Sequence, residues 1–327
     1  MARIGIIGRG WGARVQAPSF RDVGLEVVSI VGSKDDWRAL VASPDVDLIT
    51  ITTPPSEHRE MALAALAAGK HVICEKPTAL NANEAEEMLA ASRAHPEQLA
   101  LIDHELRFLP SFRAARERIG ELGGVRYVEV RYASPSRGDR TRAWNWWSDA
   151  ARGGGALGAV GSHFIDATRY LAGEIERVEA ATLATIIDER PFEGGTRKVT
   201  ADDFAALTLR LHGGALATLT ISAVAGGDDE PTTITIHGER GAFRLGGEEL
   251  LFAKRGEPFA RIAGNDMADR AGNSPGGAFG SGTLLLAQAL KAALDDGDRD
   301  ALKFAATFED GLAQQRVLDE AREAAAK

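Results

Sequence analysis

The sequence predicts two domains of different class: an N-terminal α/β domain on a parallel sheet, then a C-terminal α+β domain on an open, mostly antiparallel sheet. Three observations carry this reading. Short apolar runs alternate with helical patterns up to about residue 105. A glycine-rich turn closes the first of those runs. After about residue 122 the pattern changes to strands joined by glycine-containing turns. At ~150 residues per domain, a chain of 327 residues holds about two. We place them at residues 1–122 and 123–327, with the C-terminal helix able to pack back on the first.

In the first half, Ile4–Ile7, Glu26–Val31, Asp47–Thr52 and Lys70–Cys74 read as strands apolar on both faces, as a sheet covered by helices on two sides requires. Between them, His58–Ala68 repeats small apolar residues at helical spacing and stops at Gly69. Asn83-Glu-Ala-Glu86 opens a further helix with an Asn cap and a Glu three residues on. In the second half Val125–Ala133 reads as a strand, and a helix lies near Ser162–Leu171. Phe204–Leu211 and Ala215–Ser222 flank His212-Gly-Gly214, a hairpin signal. Thr232–His237, Ala242–Leu245 and Glu249–Phe252 continue an antiparallel meander. Ser281–Leu294 and Ala301–Ala325 read as helices, and Ala263–Gly282 as a loop rich in Gly, Asn and Asp.

Composition narrows the function. Apolar residues at 44% and charged residues at 26% exclude a disordered chain. Acidic residues outnumber basic ones by 47 to 38, a formal charge of −9 that repels phosphate backbones and anionic lipid. Neither nucleic acid nor a membrane is therefore an expected partner. The single cysteine, Cys74, excludes an intrachain disulfide and a cysteine zinc site, and no metal is expected. With no secretory leader pattern and no apolar run near the ~20 residues that span a bilayer, we expect a cytoplasmic protein.

Four motifs carry chemistry. Gly8-Arg9-Gly10-Trp11-Gly12-Ala13 lies between a strand and a helix, where Gly8 allows a tight turn and Gly10 lets the backbone approach a pyrophosphate. Ala13, in the third slot, is expected to permit close helix–strand packing. The second strand ends in Gly32-Ser33-Lys34 rather than the acidic residue that holds both ribose hydroxyls of NAD. A hydroxyl and an ammonium there suit a 2′-phosphate, so NADP(H) is favoured over NAD(H). The alternative is that Lys34 is an ordinary surface residue and Asp35 or Asp36 binds the ribose.

Glu75-Lys76-Pro77 ends the fourth strand, where ligands of such sheets sit. A lysine there can serve as a proton-transfer group if its surroundings favour the neutral amine, and a solvated Glu–Lys pair is the plainer reading. Gly153-Gly-Gly155 leads by way of Gly161 into a helix bearing His163 and Asp166, three apart and so on one face. Histidine passes protons near neutrality, although a histidine at a helix start also serves as a structural residue.

Together these segments, with Ile51-Thr-Thr53-Pro54-Pro55-Ser-Glu-His58 and His104-Glu-Leu-Arg-Phe108, resemble the glucose–fructose oxidoreductase / inositol dehydrogenase / rhizopine catabolism (Gfo/Idh/MocA) family. The resemblance spans residues ~3–175 well and is loose beyond. It implies a Rossmann domain, a second domain whose open sheet mediates homodimers or homotetramers, and NAD(P)-dependent oxidation or reduction of a sugar, cyclitol or related polyol. Carried onto this sequence, Lys76 and His163 are the catalytic pair. Gly8, Arg9, Gly10, Trp11, Ser33, Lys34, Thr53, Pro54, Pro55, His58 and Glu75 meet the cofactor. Relatives often carry Asp four residues before the histidine, where this chain has Ala159. Asp166 is a substitute at the substrate, and Trp146 and Trp147 can stack on a sugar ring or anchor their loop to the core. Arg142, Asn145 and Asp149 could meet hydroxyls, and Arg107 is open between a site role and an ion pair. The rival functions within the same fold are an NAD-assisted glycoside hydrolase or lyase and a dinucleotide-binding regulator without turnover.

Overall fold

The computed structural model describes residues 1–227, 232–246, 248–264 and 276–327. Of the Gly-, Asn- and Asp-rich stretch 263–282, residues 265–275 lie outside the described residues. The chain forms two compact units. One takes residues 1–109 and the described part of 267–315, the other the described part of 110–266 and residues 316–327.

In the first unit, β1 (Arg3–Ile7), β2 (Glu26–Val31), β3 (Leu48–Ile51), β4 (His71–Cys74) and β5 (Ala100–Ile102) form a parallel sheet in the order β5-β4-β3-β1-β2. The period of two sends alternate residues to opposite faces. Ile4 and Ile6 meet Phe20 and Leu290 in one layer, while Ile7, Ile49 and Ile51 meet Met61 and Leu66 in the other. The order places a switch point between β1 and β3, whose carboxyl ends open a crevice for ligands. Ala301–Ala325 is not one helix. A 3-10 turn at Arg299–Leu302 and a strand at Ala306–Thr307, antiparallel to β5, precede the helix Phe308–Ala325. The exposed edge of β5 takes hydrogen bonds in preference to local helix propensity.

The second unit holds β6 (Val125–Ala133), β7 (Ile175–Ala184), the β8 (Glu189–Phe192) and β9 (Gly195–Lys198) hairpin, β10 (Phe204–Leu211), β11 (Leu216–Ser222), β12 (Thr233–Gly238), β13 (Gly241–Gly246), β14 (Glu249–Lys254) and β15 (Ala260–Gly264). Eight of them form one sheet in the order β15-β14-β13-β12-β6-β11-β10-β7. Every neighbour is antiparallel except β6 and β11, which interrupt the expected meander. Alternation along Phe204–Leu211 buries Ala205, Leu207, Leu209 and Leu211 and leaves the other face partly open.

The turn after β1 depends on two close approaches. Gly8 has φ 134°, a region hostile to side chains, and a Cβ there would lie 2.6 Å from the Thr52 carbonyl oxygen. One turn on, a Cβ at Gly12 would lie 2.6 Å from Ile6 Cγ2. Close helix–strand packing is thus the work of Gly12 rather than Ala13, which is half-buried. The helix starts as a π turn, Gly12–Gln16, and continues as α1 (Ala17–Asp22).

After β3, His58 opens a helix, His58–Ala67, and is fully buried. Its ring nitrogens lie 2.8 Å from the Thr53 carbonyl and 3.0 Å from the Pro77 carbonyl, so the imidazole links the loops after β3 and β4. Burial pushes its pKa down to about 4, with Lys76 adding to the shift and the two carbonyls opposing it.

Two outcomes follow. Gly12→Ala overpacks the β1–helix contact and is expected to lower unfolding free energy by ~1–3 kcal/mol in urea titration. His58 takes its proton in the unfolded chain near 6.5 but in the folded chain only at about 4, so its contribution to stability falls as pH drops through that window. Wild type and His58→Asn should therefore converge by up to ~3 kcal/mol between pH 7 and pH 4, and a constant difference would contradict the assignment.

Candidate active site

The carboxyl ends of the parallel strands gather most of the anticipated cofactor residues. After β1, the Gly8 N–H donates to the Val31 carbonyl at 2.7 Å, tying the loop to the end of β2. No atom lies within 4 Å of a Cβ built on Gly10, so the backbone is open there to a pyrophosphate, beside the first, unbonded N–H groups of the helix. The Trp11 ring packs on Gly276, whose Cβ would lie 2.7 Å from Trp11 Cη2. Trp11 therefore offers the loop its backbone rather than its ring. After β3, Thr53 and Pro55 are buried and Pro54 is half-buried, with Thr53 Oγ1 against Met61 Sδ at 3.6 Å. His58 lies behind these loops and fixes them without reaching their surface.

At the end of β2, Ser33 is half-buried and Lys34 exposed. Asp35 accepts from the Gly32 N–H at 2.6 Å and pairs with the Arg9 guanidinium at 2.7 Å. Asp36 is occupied as the cap of the helix Trp37–Ala42, accepting from the Ala39 N–H at 3.0 Å. Arg9, Ser33 and Lys34 thus share one rim of the crevice, with Asp35 partly neutralising it.

Lys76 sits half-buried at the end of β4 among three buried carboxyls, Glu75, Asp103 and Glu105. Asp103 follows β5 directly, and Glu105 begins the next 3-10 turn. Gln16 Nε2 donates to Asp103 Oδ2 at 2.7 Å. Burial raises Glu75 well above the usual carboxyl range, reinforced by Asp103 and opposed by Lys76. Burial raises Glu105 in the same way, with Asp103 and Glu75 adding to it. Asp103 is raised less, because Gln16 and Glu75 hydrogen-bond its charged form. Burial also pushes the Cys74 thiol up, which makes it an inert core group. Among the described residues no three such side chains have the geometry of a metal cage.

In the second unit, a π turn at Leu157–Gly161 runs into the helix Ser162–Ala172, which carries His163 and Asp166, both buried. The glycines before it have packing roles. A Cβ at Gly154 would lie 2.6 Å from the Trp147 carbonyl, and Gly155 crowds Asp202. Asp202 Oδ2 accepts from the Leu157 N–H at 2.7 Å and so caps the turn. Burial raises its pKa to about 6 against that hydrogen bond.

The tryptophan loop is tied to its own unit. Trp147 lies under the Arg137 guanidinium, 5.2 Å from ring centroid to carbon, and 6.0 Å from Trp146. Arg142 donates to the Ser136 carbonyl, while Asn145 and Asp149 accept from Trp147 and Ala151 N–H groups. These three polar side chains hold the loop itself. Arg107 resolves as an ion pair, 3.0 Å from Asp310.

Sequence reasoning missed Gln16, Asp103, Glu105 and Asp202. Asp103 and Glu105 had a readable signal, since two acids directly follow the apolar run Leu99–Ile102 in a chain whose other strands end at ligand-binding turns. Gln16 and Asp202 had none, because their partners lie 87 and 45 residues away.

Comparison with known proteins accords with this arrangement. Residues 2–102 match the oxidoreductase family with NAD-binding Rossmann fold, and residues 112–244 match the GFO/IDH/MocA C-terminal domain. An uncharacterized oxidoreductase, sll0816 of Synechocystis sp., is 34% identical over 270 residues, covering 76% of this chain and 72% of that protein. Levoglucosan dehydrogenase of Pseudarthrobacter phenanthrenivorans is 31% identical over 257 residues, 73% of this chain and 64% of its own. A solved levoglucosan dehydrogenase in complex with NADH and levoglucosan superposes with TM-score 0.85 at 25% identity, covering 99% of this chain and 97% of that one. The chain belongs to the Gfo/Idh/MocA family and is an NAD(P)-dependent oxidoreductase acting on CH–OH groups.

Proposed function

We propose that the protein moves hydride between a nicotinamide dinucleotide and a secondary alcohol or carbonyl of a sugar, cyclitol or related polyol. The observation that carries this is Lys76 at a strand end, set in a buried carboxyl cluster beside an open glycine turn. The name of the relative that binds levoglucosan supports the substrate class. When bound, the nicotinamide supplies the hydride acceptor or donor. Lys76 hydrogen-bonds the reacting hydroxyl, and His163 takes or gives its proton, a general acid/base contribution of about 10²–10⁴-fold. Asp166, one turn from His163, meets substrate. Trp146 is the better candidate for a sugar-stacking ring, since Trp147 is already stacked on Arg137. Ala159 is buried and brings no carboxylate to this helix, which is the observation behind the rival reading of a sensor without turnover.

NADP(H) is the favoured cofactor. Two cations, Arg9 and Lys34, and the Ser33 hydroxyl share the rim at the end of β2, and a 2′-phosphate would take Arg9 from Asp35. A second copy of this chain, seated on the partly open face of the eight-stranded sheet, is the expected macromolecular partner.

Fluorescence titration with NADPH and NADH tests the cofactor reading. NADPH should bind more tightly, and Lys34→Ala should weaken it about tenfold while leaving NADH unchanged, the loss of about one charge-assisted contact. Preference for NADH in wild type would overturn it. In a screen of polyols with the preferred cofactor, Lys76→Ala and His163→Ala should each lower kcat by at least ~10²-fold. Normal turnover in either variant would remove that residue from the mechanism, and binding without turnover of any polyol would favour the sensor.

A further inference from the structure

The β8–β9 hairpin stands apart from the eight-stranded sheet, and the proposed reaction gives it no task. Its turn, Glu193-Gly194, has φ of 47° and 82°, as a tight two-residue hairpin requires. A two-stranded hairpin is marginal in water unless it packs against something else. In its two strands only Arg190 is buried, at 2% exposed. The position that would ordinarily carry an apolar side chain thus carries a guanidinium. It forms no ion pair among the described residues; Nη1 donates to the Asp139 carbonyl at 2.8 Å and Nη2 to the Arg137 carbonyl. Both acceptors are backbone groups at the start of the tryptophan loop. A buried cation is costly unless its donors are met, and here the loop meets them.

The same hairpin holds the middle of the loop. Trp144 donates from its backbone N–H to the Pro191 carbonyl at 2.9 Å and from Nε1 to the Lys198 carbonyl at 3.1 Å. Arg197 lies over the Trp144 ring, 3.7 Å from guanidinium carbon to centroid, and Phe192 meets it edge-on at 5.6 Å. Just after β9, the Thr200 N–H donates to the Ser148 carbonyl at 2.9 Å, and Thr200 Oγ1 accepts from the Ala150 N–H at 3.0 Å. Trp146 stands inside the span gripped in this way. Trp144 and Trp147 each carry a guanidinium over the ring, whereas Trp146 carries none, and its indole N–H meets no protein acceptor among the described residues. We propose that the β8–β9 hairpin is a clasp that holds Trp146 ready for a sugar ring, with Arg190 and Trp144 as the positioning residues that set substrate affinity. The inference rests on the reading of Trp146 as the sugar-stacking ring. A loop fixed in advance spares binding the cost of ordering it, so loss of the clasp shows in KM rather than in kcat.

Two measurements on Arg190→Met, which keeps an apolar stem and removes both loop bonds, test this. Amide hydrogen exchange read by mass spectrometry should be at least ~10-fold faster across residues 137–149, with β10 and β11 unchanged as the internal reference. On a polyol that the wild type turns over, KM should rise about tenfold while kcat stays within about twofold. Trp146→Ala should show the same split. Because Arg190 acts through Trp146, the double variant should have a KM no higher than Trp146→Ala alone. Unchanged loop exchange, a fall in kcat at constant KM, or additive effects in the double variant would each overturn the clasp. If Arg190→Met fails to fold, Trp144→Phe, which removes only the Nε1 bond, carries the test, with a severalfold rise in KM supporting the clasp and no rise overturning it. The two readings separate: unchanged KM in Trp146→Ala would remove the stacking role and this inference with it. A raised KM in Trp146→Ala beside an unchanged KM in Arg190→Met would overturn the clasp alone.

Discussion

A carboxyl carried to the end of a buried parallel strand must find a proton or a cation, and this constraint organises the first unit. β4 and β5 run side by side and lead directly into Glu75 and Asp103, with Lys76 and Glu105 close behind. Three carboxyls and one ammonium fit a water-poor pocket only if protons neutralise most of the acids. The sheet itself creates the problem, since parallel pairing brings equivalent strand ends together. It also gathers these carboxyls and Lys76 at the strand ends that open the ligand crevice.

The loops obey a steric version of the same economy. Gly8 and Gly12 let β1, β3 and the following helix approach to within a methyl group of each other, which leaves Gly10 as the open face of the turn. His58 then ties the loop after β3 to the loop after β4 through two carbonyls. In the second unit, Gly154 and Gly155 let the strand of chain before His163 lie directly against the tryptophan loop and Asp202. Glycine-rich segments in this protein therefore have two distinct purposes, one leaving space for a ligand and the other removing it.

The fold was legible wherever local pattern determined it. The apolar runs gave β1 to β4, and the His212-Gly-Gly214 turn gave the β10–β11 hairpin. Long-range pairing was not legible: β6 beside β11 in parallel, and Ala306–Thr307 on the edge of β5, depend on partners 89 and 204 residues away. At the site, Gly8, Gly10, Lys76 and His163 stood out because residue type and element position agreed. His58 stood out too, but its burial turned an anticipated surface contact into an internal link. Arg142, Asn145 and Asp149 looked like ligands for hydroxyls and proved to be turn residues, because polar side chains in a loop meet nearby backbone first. Gln16 and Asp202 carry no local signature at all, since each matters only through a residue distant in sequence.

The central claim is that burial keeps most of the acids Glu75, Asp103 and Glu105 protonated at the ends of β4 and β5. Infrared spectroscopy of the carboxyl stretch, comparing wild type with Glu75→Gln, Asp103→Asn and Glu105→Gln at pH 7, measures it directly. The account predicts that Glu75→Gln and Glu105→Gln each remove a protonated-carboxyl band. Loss of a carboxylate band in all three variants would show three ionised acids and contradict it.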